Sequence, residues 1–422
     1  MKKFKTLFVA AIILSLATVS SAQTTLDYTN VSYSLLPEDY ASATATLMFG
    51  YGMDMSNDTL FVSACGNGGR YVNIYKLNED LTVAPTLIQQ LTNADDSFFG
   101  YSVSKDGEYL AVTASTAKMF YLYKKNSSGS YESFCSVDVK TLISSATIPQ
   151  VSLHGKYVLL TTQTAGVAVL KIDEENSTVS IDYSSENIYS SIGLSASDEN
   201  LSAYITAGSN KLVIIERDEE TDTYSEQSID FEDGITNHSG VDIENGVIAV
   251  ANVTTSKLHL IEKDSDGLWS ITHTADAPET DNNATFGYNV DFKNGYILVT
   301  SNNSSSTNGS SYVYYLNDDE LSIACEIVST ADDLNMGSGG AFNGTVCAIS
   351  NSNYKSDGAS YSSGIVYIFD LSDILGDQSD SIDKVVVNQS ITDGKTYDLN
   401  GREVINPTRG MFIRNGRLLL LK

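Results

Sequence analysis

Carboxylates are the residues of this chain best equipped for chemistry. Two of them a few ångströms apart can cleave a glycosidic bond as acid and base, and the 422 residues include 53 Asp+Glu. Abundance alone singles out no pair. His154 falls in a tight turn, His259 within a strand, and His238 and His273 in or near loops, where structural or surface roles are the simpler account. No G-x-S-x-G elbow, H-E-x-x-H zinc helix or Gly-rich phosphate loop is present. Cys65, Cys135, Cys325 and Cys347 are too irregularly spaced for a metal signature; two disulfides are open to them, but they read chiefly as buried small hydrophobes. The sequence therefore assigns no catalytic residue, no metal ligand and no cofactor.

The charge constrains partners. Against 25 Lys+Arg the acids give a formal net charge of −28, yet 42% of residues are hydrophobic, with 25 Tyr and 14 Phe. Such a chain packs a core and carries its acid on the surface. Nucleic acid is not expected as a partner, because phosphate-backbone affinity needs clustered Lys and Arg. At the start, Lys2, Lys3 and Lys5 precede an apolar run from Leu7 to Val19 and the small residues Ser20-Ser21-Ala22. This pattern predicts a signal peptide, residues 1–22, cleaved after Ala22. The run is too short to span a bilayer, and no other segment is long enough for a transmembrane helix. The expected location is secreted or on the outer cell surface.

An internal repeat organises the central part of the chain. The segment 101–114 (YSVSKDGEYLAVTA) is echoed at 51–64, 149–162, 239–252 and 288–301, and more weakly at 193–207 and 339–351. Leu60, Leu110, Val158, Ala203, Ile248, Ile297 and Cys347 fall at one equivalent position, separated by 50, 48, 45, 45, 49 and 50 residues. Each copy reads as strand, tight turn, strand, with Asp106-Gly107, Asn245-Gly246 and Asn294-Gly295 suited to two-residue hairpins. A third strand rich in aromatic and β-branched residues and a more polar fourth complete the unit. The prediction is an all-β fold, a seven-bladed β-propeller over residues 23–375. The seventh copy lacks a fourth strand, and residues 31–37 (VSYSLLP) are expected to supply it, closing the ring with an N-terminal strand.

The pairs Phe49-Gly50, Phe99-Gly100 and Phe286-Gly287, each opening a hydrophobic strand, resemble FG-GAP repeats of the integrin α-subunit propeller type. The resemblance covers roughly residues 31–375. It implies a propeller and, in many members, calcium in Asp-rich loops. The loops here lack the spaced oxygens that calcium needs; the nearest approach is Asp264-Ser265-Asp266-Gly267, so calcium is not supported.

The long polar turns of blades six and seven, 302–311 and 352–363, adjoin blade one once the ring closes. Arg70, Asn302, Asn303, Asn353, Tyr354, Asp357 and Tyr361 are the candidate ligand-binding residues, because amides and hydroxyls beside aromatic faces suit a carbohydrate or a peptide. The expected function is a non-enzymatic binding or adhesion propeller recognising a glycan or protein at the bacterial surface. The alternatives are a carbohydrate-active enzyme using carboxylates on the central face, and a structural partner in a surface complex. Tyr75, Tyr121, Tyr123, Tyr314, Tyr315 and Tyr367 lie on third strands and are expected in the core between blades.

After Leu375 comes a polar linker, 376–383, and then a basic segment, 384–422, read as a small C-terminal β module with hairpins at Asn400-Gly401 and Asn415-Gly416. Tyr397-Asp398-Leu399-x-Gly401-Arg402, Arg409-Gly410-Met411-Phe412-Ile413 and the Leu-rich end resemble the C-terminal sorting domain of the Bacteroidetes type IX (Por) secretion system. The resemblance implies the secretion machinery as a partner through this module.

Overall fold

The computed structural model describes residues 24–375, apart from 164, 186–194, 207, 237, 279–284, 303–309, 318–319, 330–335, 356 and 358, together with 396–397, 410–414 and 417–421. The expected signal peptide and the 376–383 linker lie outside the described residues. The chain divides into two compact units, 1–375 and 376–422.

Alternating side chains and turn-forming dipeptides give the first unit seven sheets, five of them built only from consecutive strands and two, blades six and seven, completed by an N-terminal strand. In blade one the strands are Phe49–Ser56, Thr59–Ala64, Tyr71–Lys76 and Thr86–Thr92. Second strands read as unbroken apolar runs because both of their faces are covered; every residue of Tyr109–Ala114 is buried. Fourth strands alternate, since only one face meets a neighbour, as in Thr86–Thr92. The core is correspondingly divided among the seams. Seven apolar clusters are found among the described residues, each shared by two adjacent blades. Tyr75, Tyr121, Tyr314 and Tyr367 are buried in them, and Tyr123 and Tyr315 pack against them.

The ring closes as the repeat count requires. Tyr33–Leu35 pairs antiparallel with Ile365–Asp370 as the fourth strand of blade seven, and the Ser32 amide donates to the Ile368 carbonyl at 2.8 Å. Thr24–Asp27 does something the repeat does not announce. It adds a fifth strand, parallel, to the outer edge of blade six, with Leu26 opposite Ile327.

The Phe-Gly pairs have a common physical basis. Phe49, Phe99 and Phe286 are fully buried in seams. The glycines after them have φ of +85°, +90° and +91°, and a Cβ there would come within 2.5 Å of Ser350, 2.8 Å of Ser63 and 2.6 Å of Ala251 on the preceding blade. Only glycine adopts that backbone at that approach.

The turns between third and fourth strands explain much of the acid. Asp80, Asp173, Asp218 and Asp264 each accept backbone N–H groups two to four residues ahead, an Asx turn. Asp264 is thus occupied in shaping its own loop. No metal-binding group of three His, Cys, Asp or Glu occurs among the described residues. Cys65, Cys325 and Cys347 are buried and Cys135 is half-buried, all as free thiols. No helix among the described residues is long and apolar enough to cross a membrane.

In the second unit, Gly410–Arg414 pairs with Thr396–Tyr397 on one side and Arg417–Leu421 on the other. The strands flanking Asn415-Gly416 therefore form the expected hairpin.

Candidate functional site

The seven first strands surround a cavity of about 590 Å³. An innermost strand has one edge with no sheet neighbour, so its N–H groups need other acceptors. The sequence supplies them from the preceding blade. Asp54, Ser104, Ser152, Ser197, Asp242, Asp291 and Ala341 share one register position, opposite Phe61, Ala111, Leu159, Ser202, Ala249, Leu298 and Ala348 of their second strands. Asp54 Oδ2 accepts the Lys105 amide at 2.6 Å, Ser104 Oγ the Leu153 amide at 2.9 Å, Asp242 Oδ2 the Phe292 amide at 2.6 Å and Asp291 Oδ2 the Phe342 amide at 2.7 Å. Blade seven offers Ala341, which cannot accept. Across that seam Asp54 Oδ1 takes the amide of its own neighbour Met55, at 2.6 Å.

Two residues further along, the acceptors repeat. Asp106 Oδ2 takes the Gly155 amide at 2.7 Å, and Glu244 takes those of Asn294 and Gly295 at 2.7 and 2.8 Å. His154 Nδ1 lies 3.8 Å from Asp106 and 3.5 Å from Asp198.

Electrostatics reflect the crowding of these acids into a narrow channel. Burial pushes the Asp54 and Asp242 carboxyls up to about 6, against the pull of Lys293 and of the amides they hold. Burial, then Asp242 and Asp54, raise the Asp291 carboxyl well above the ordinary carboxylate range. Burial opposes the Lys293 charge, yet Asp242, Asp291, Asp54 and Glu244 together keep its ammonium above the ordinary lysine range. Three carboxyls therefore face one lysine, each already holding a backbone N–H.

Three rungs before the acceptor position on their strands stand Tyr51, Tyr101 and Tyr288. The Tyr51 and Tyr101 rings are 5.1 Å apart, and His238 stacks on Tyr288 with ring centres at 6.0 Å and planes 12° apart. Burial, then the nearby Tyr101 and Tyr288 hydroxyls, drive the Tyr51 phenol far above its ordinary pKa. Phenols from blades one, two and six thus converge at one end of the channel, with Gln150 and Gln163 also in its lining. These tyrosines are not among the residues that sequence patterns single out, although a signal exists: each directly follows a Phe-Gly pair, in Phe49-Gly50-Tyr51, Phe99-Gly100-Tyr101 and Phe286-Gly287-Tyr288.

Of the residues singled out from sequence, Arg70, Asn302, Asn353, Tyr354, Asp357 and Tyr361 are not part of this channel lining. Leu47 bonds both to Ser362 and to Gly66 through its backbone, so the blade-one loop and the long blade-seven turn meet through the linker between them. Arg70, at φ +70°, donates from Nη1 to the Ala94 carbonyl, which ties its loop to the next linker. Tyr354 packs against the blade six–seven core and its carbonyl accepts the Ser363 and Gly364 amides. Tyr361, 44% exposed, Asn353 and Asp357 face solvent. Asn302 ends its strand with Oδ1 buried and unpaired among the described residues; Asn303 lies outside them.

Fold and channel define a seven-bladed β-propeller. Solved structures with this architecture include a Lactobacillus plantarum protein (TM-score 0.50, 10% identity, covering 67% of this chain and 86% of that one). A chain of the mitotic checkpoint complex is also similar (TM-score 0.53, 14% identity, covering 86% of this chain and 99% of that one). At such identities the likeness is one of fold. No family model matches the sequence, and no curated protein matches it.

Proposed function

We propose that the protein is an exported, non-enzymatic binding propeller that recognises a glycan or protein at the bacterial surface. The observation that carries this reading is the engagement of the channel carboxylates. Asp54, Asp242 and Asp291 form the acid cluster best placed for glycoside chemistry, and each holds a backbone N–H of the next blade at 2.6–2.7 Å. Carboxylates so engaged brace the ring instead of meeting a substrate. The Phe-Gly seams support kinship with FG-GAP propellers, and the C-terminal segment supports export through a type IX sorting module. The signal-like N-terminus supports the same address.

A second reading, a carbohydrate-active enzyme, draws on the same cluster: three carboxyls with raised pKa around Lys293 are a recognised mark of functional sites. Binding to arrayed glycans and surface proteins, measured beside reducing-sugar release, separates the two. Binding without release supports the first reading; release that disappears in Asp242→Asn replaces it with the second.

A further inference from the structure

We propose that the tyrosine end of the central channel is a sugar-binding subsite that takes one neutral pyranose ring. This deepens the proposed binding function and rests on it.

The shape of the site fits that ligand. Tyr51, Tyr101 and Tyr288 enter from three blades, two of them in ring contact and the third stacked by His238. A pyranose has C–H faces that pack on aromatic rings and hydroxyls around its edge that need hydrogen-bond partners. The phenol hydroxyls supply such partners. So do the carboxamides of Gln150 and Gln163, which line the same cavity. Its volume, about 590 Å³, lies within the range of small-molecule sites.

Charge selects against ionic ligands. The acids deeper in the channel outnumber the lysines beside them and repel an anion, while the tyrosine end, lined by phenols and carboxamides, offers a cation no carboxylate. An uncharged polyhydroxylated ring needs none. The acidic turns on the outside repel anionic polymers in the same sense. A neutral sugar unit, free or at the end of a chain, is what remains.

The test uses the chain as it exists, titrated with free glucose, galactose, mannose and N-acetylglucosamine by calorimetry and by tyrosine fluorescence. At least one neutral sugar should saturate the protein. Tyr51→Ala and Tyr288→Ala should each weaken it tenfold or more, and Tyr361→Ala, on the exposed blade-seven turn, should leave it unchanged. Tyr288→Phe retains the ring and should lose less than Tyr288→Ala, which separates stacking from a folding defect; far-ultraviolet circular dichroism reports the latter. No binding of any of the four sugars overturns the proposal, as does full binding by correctly folded Tyr51→Ala and Tyr288→Ala. Glycan binding lost only in Tyr361→Ala moves the site to the blade-seven turn, leaving the binding function standing and this inference refuted. Sugar bound in the channel and turned over leaves this site standing and refutes the non-enzymatic reading.

Discussion

Asp54 Oδ2 accepts the amide of Lys105, 51 residues away, at 2.6 Å, and in doing so ties the innermost strand of blade one to that of blade two. The other oxygen caps Met55, so one side chain serves two otherwise unpaired edges. Asp54→Ala leaves both N–H groups without an acceptor in a half-buried channel. The expected loss is about 2–6 kcal/mol, from roughly 1–3 kcal/mol for each of the two buried unsatisfied donors. Ser104→Ala, which frees the single Leu153 amide, should cost about 1 kcal/mol. Urea midpoints at constant m-value check both figures and their order.

Raised carboxyl pKa values give the ring an unusual pH response. Asp54 and Asp242 titrate near 6 in the folded state and near 4 unfolded. The folded state therefore binds more protons between those values, and these two groups add stability as pH falls from about 6 to about 4. Asp58 and Asp222, lowered by their bonds to Lys76 and Arg217, act oppositely, losing their contribution only below about pH 4. Thermal midpoints should thus hold or rise from pH 7.5 to pH 5 and fall below pH 4. Asp242→Asn should flatten the upper part of that profile; a wild-type midpoint that drops steadily from pH 7 would contradict the raised values.

Ring closure depends on Tyr33–Leu35. Removing residues 23–40 opens the Ile365–Asp370 edge and strips Leu35 from the blade seven–one core. Cooperative unfolding should be lost and self-association should appear, since an unpaired edge strand templates further pairing. Circular dichroism melts with size-exclusion chromatography read both effects. Unchanged melting would sink the closure argument.

Gly287 has φ +91°, and a Cβ there would lie 2.6 Å from the Ala251 carbonyl oxygen. Gly287→Ala should be destabilising by about 2 kcal/mol or more, because backbone strain and a steric clash coincide. Gly295→Ala, at φ +76° with nothing within 4 Å, isolates the strain alone and should cost about 1 kcal/mol. Equal losses would mean that the close approach contributes nothing.

The thiols should separate by burial. Burial pushes Cys65 and Cys325 up to about 12, and the half-buried Cys135 only to about 11. Cys135 should react first with a thiol reagent at pH 8, and the other three only on unfolding, since the thiolate is the reactive form. Four thiols titrated in denaturant without reductant confirm the free state; two would indicate a disulfide.

Much of this architecture is legible in the sequence alone. A spacing of 45–50 residues, hairpin dipeptides and a seventh copy short of one strand determine seven blades and an N-terminal closing strand, because hydrogen-bonded turns and side-chain alternation are local properties. The Phe-Gly seams are visible for the same reason. Tyr51, Tyr101 and Tyr288 are written just as plainly, yet their meeting is not, since nothing local says that blade six faces blades one and two across a channel. That depends on closing the ring, which also sets Asp54 beside Lys105 and gathers three carboxyls around Lys293. The parallel placement of Thr24–Asp27 on blade six is likewise a choice among open outer edges, made by where Leu26 finds the core between blades six and seven. Periodicity determined the blades; the contacts between them, and with them the channel, were decided by tertiary packing.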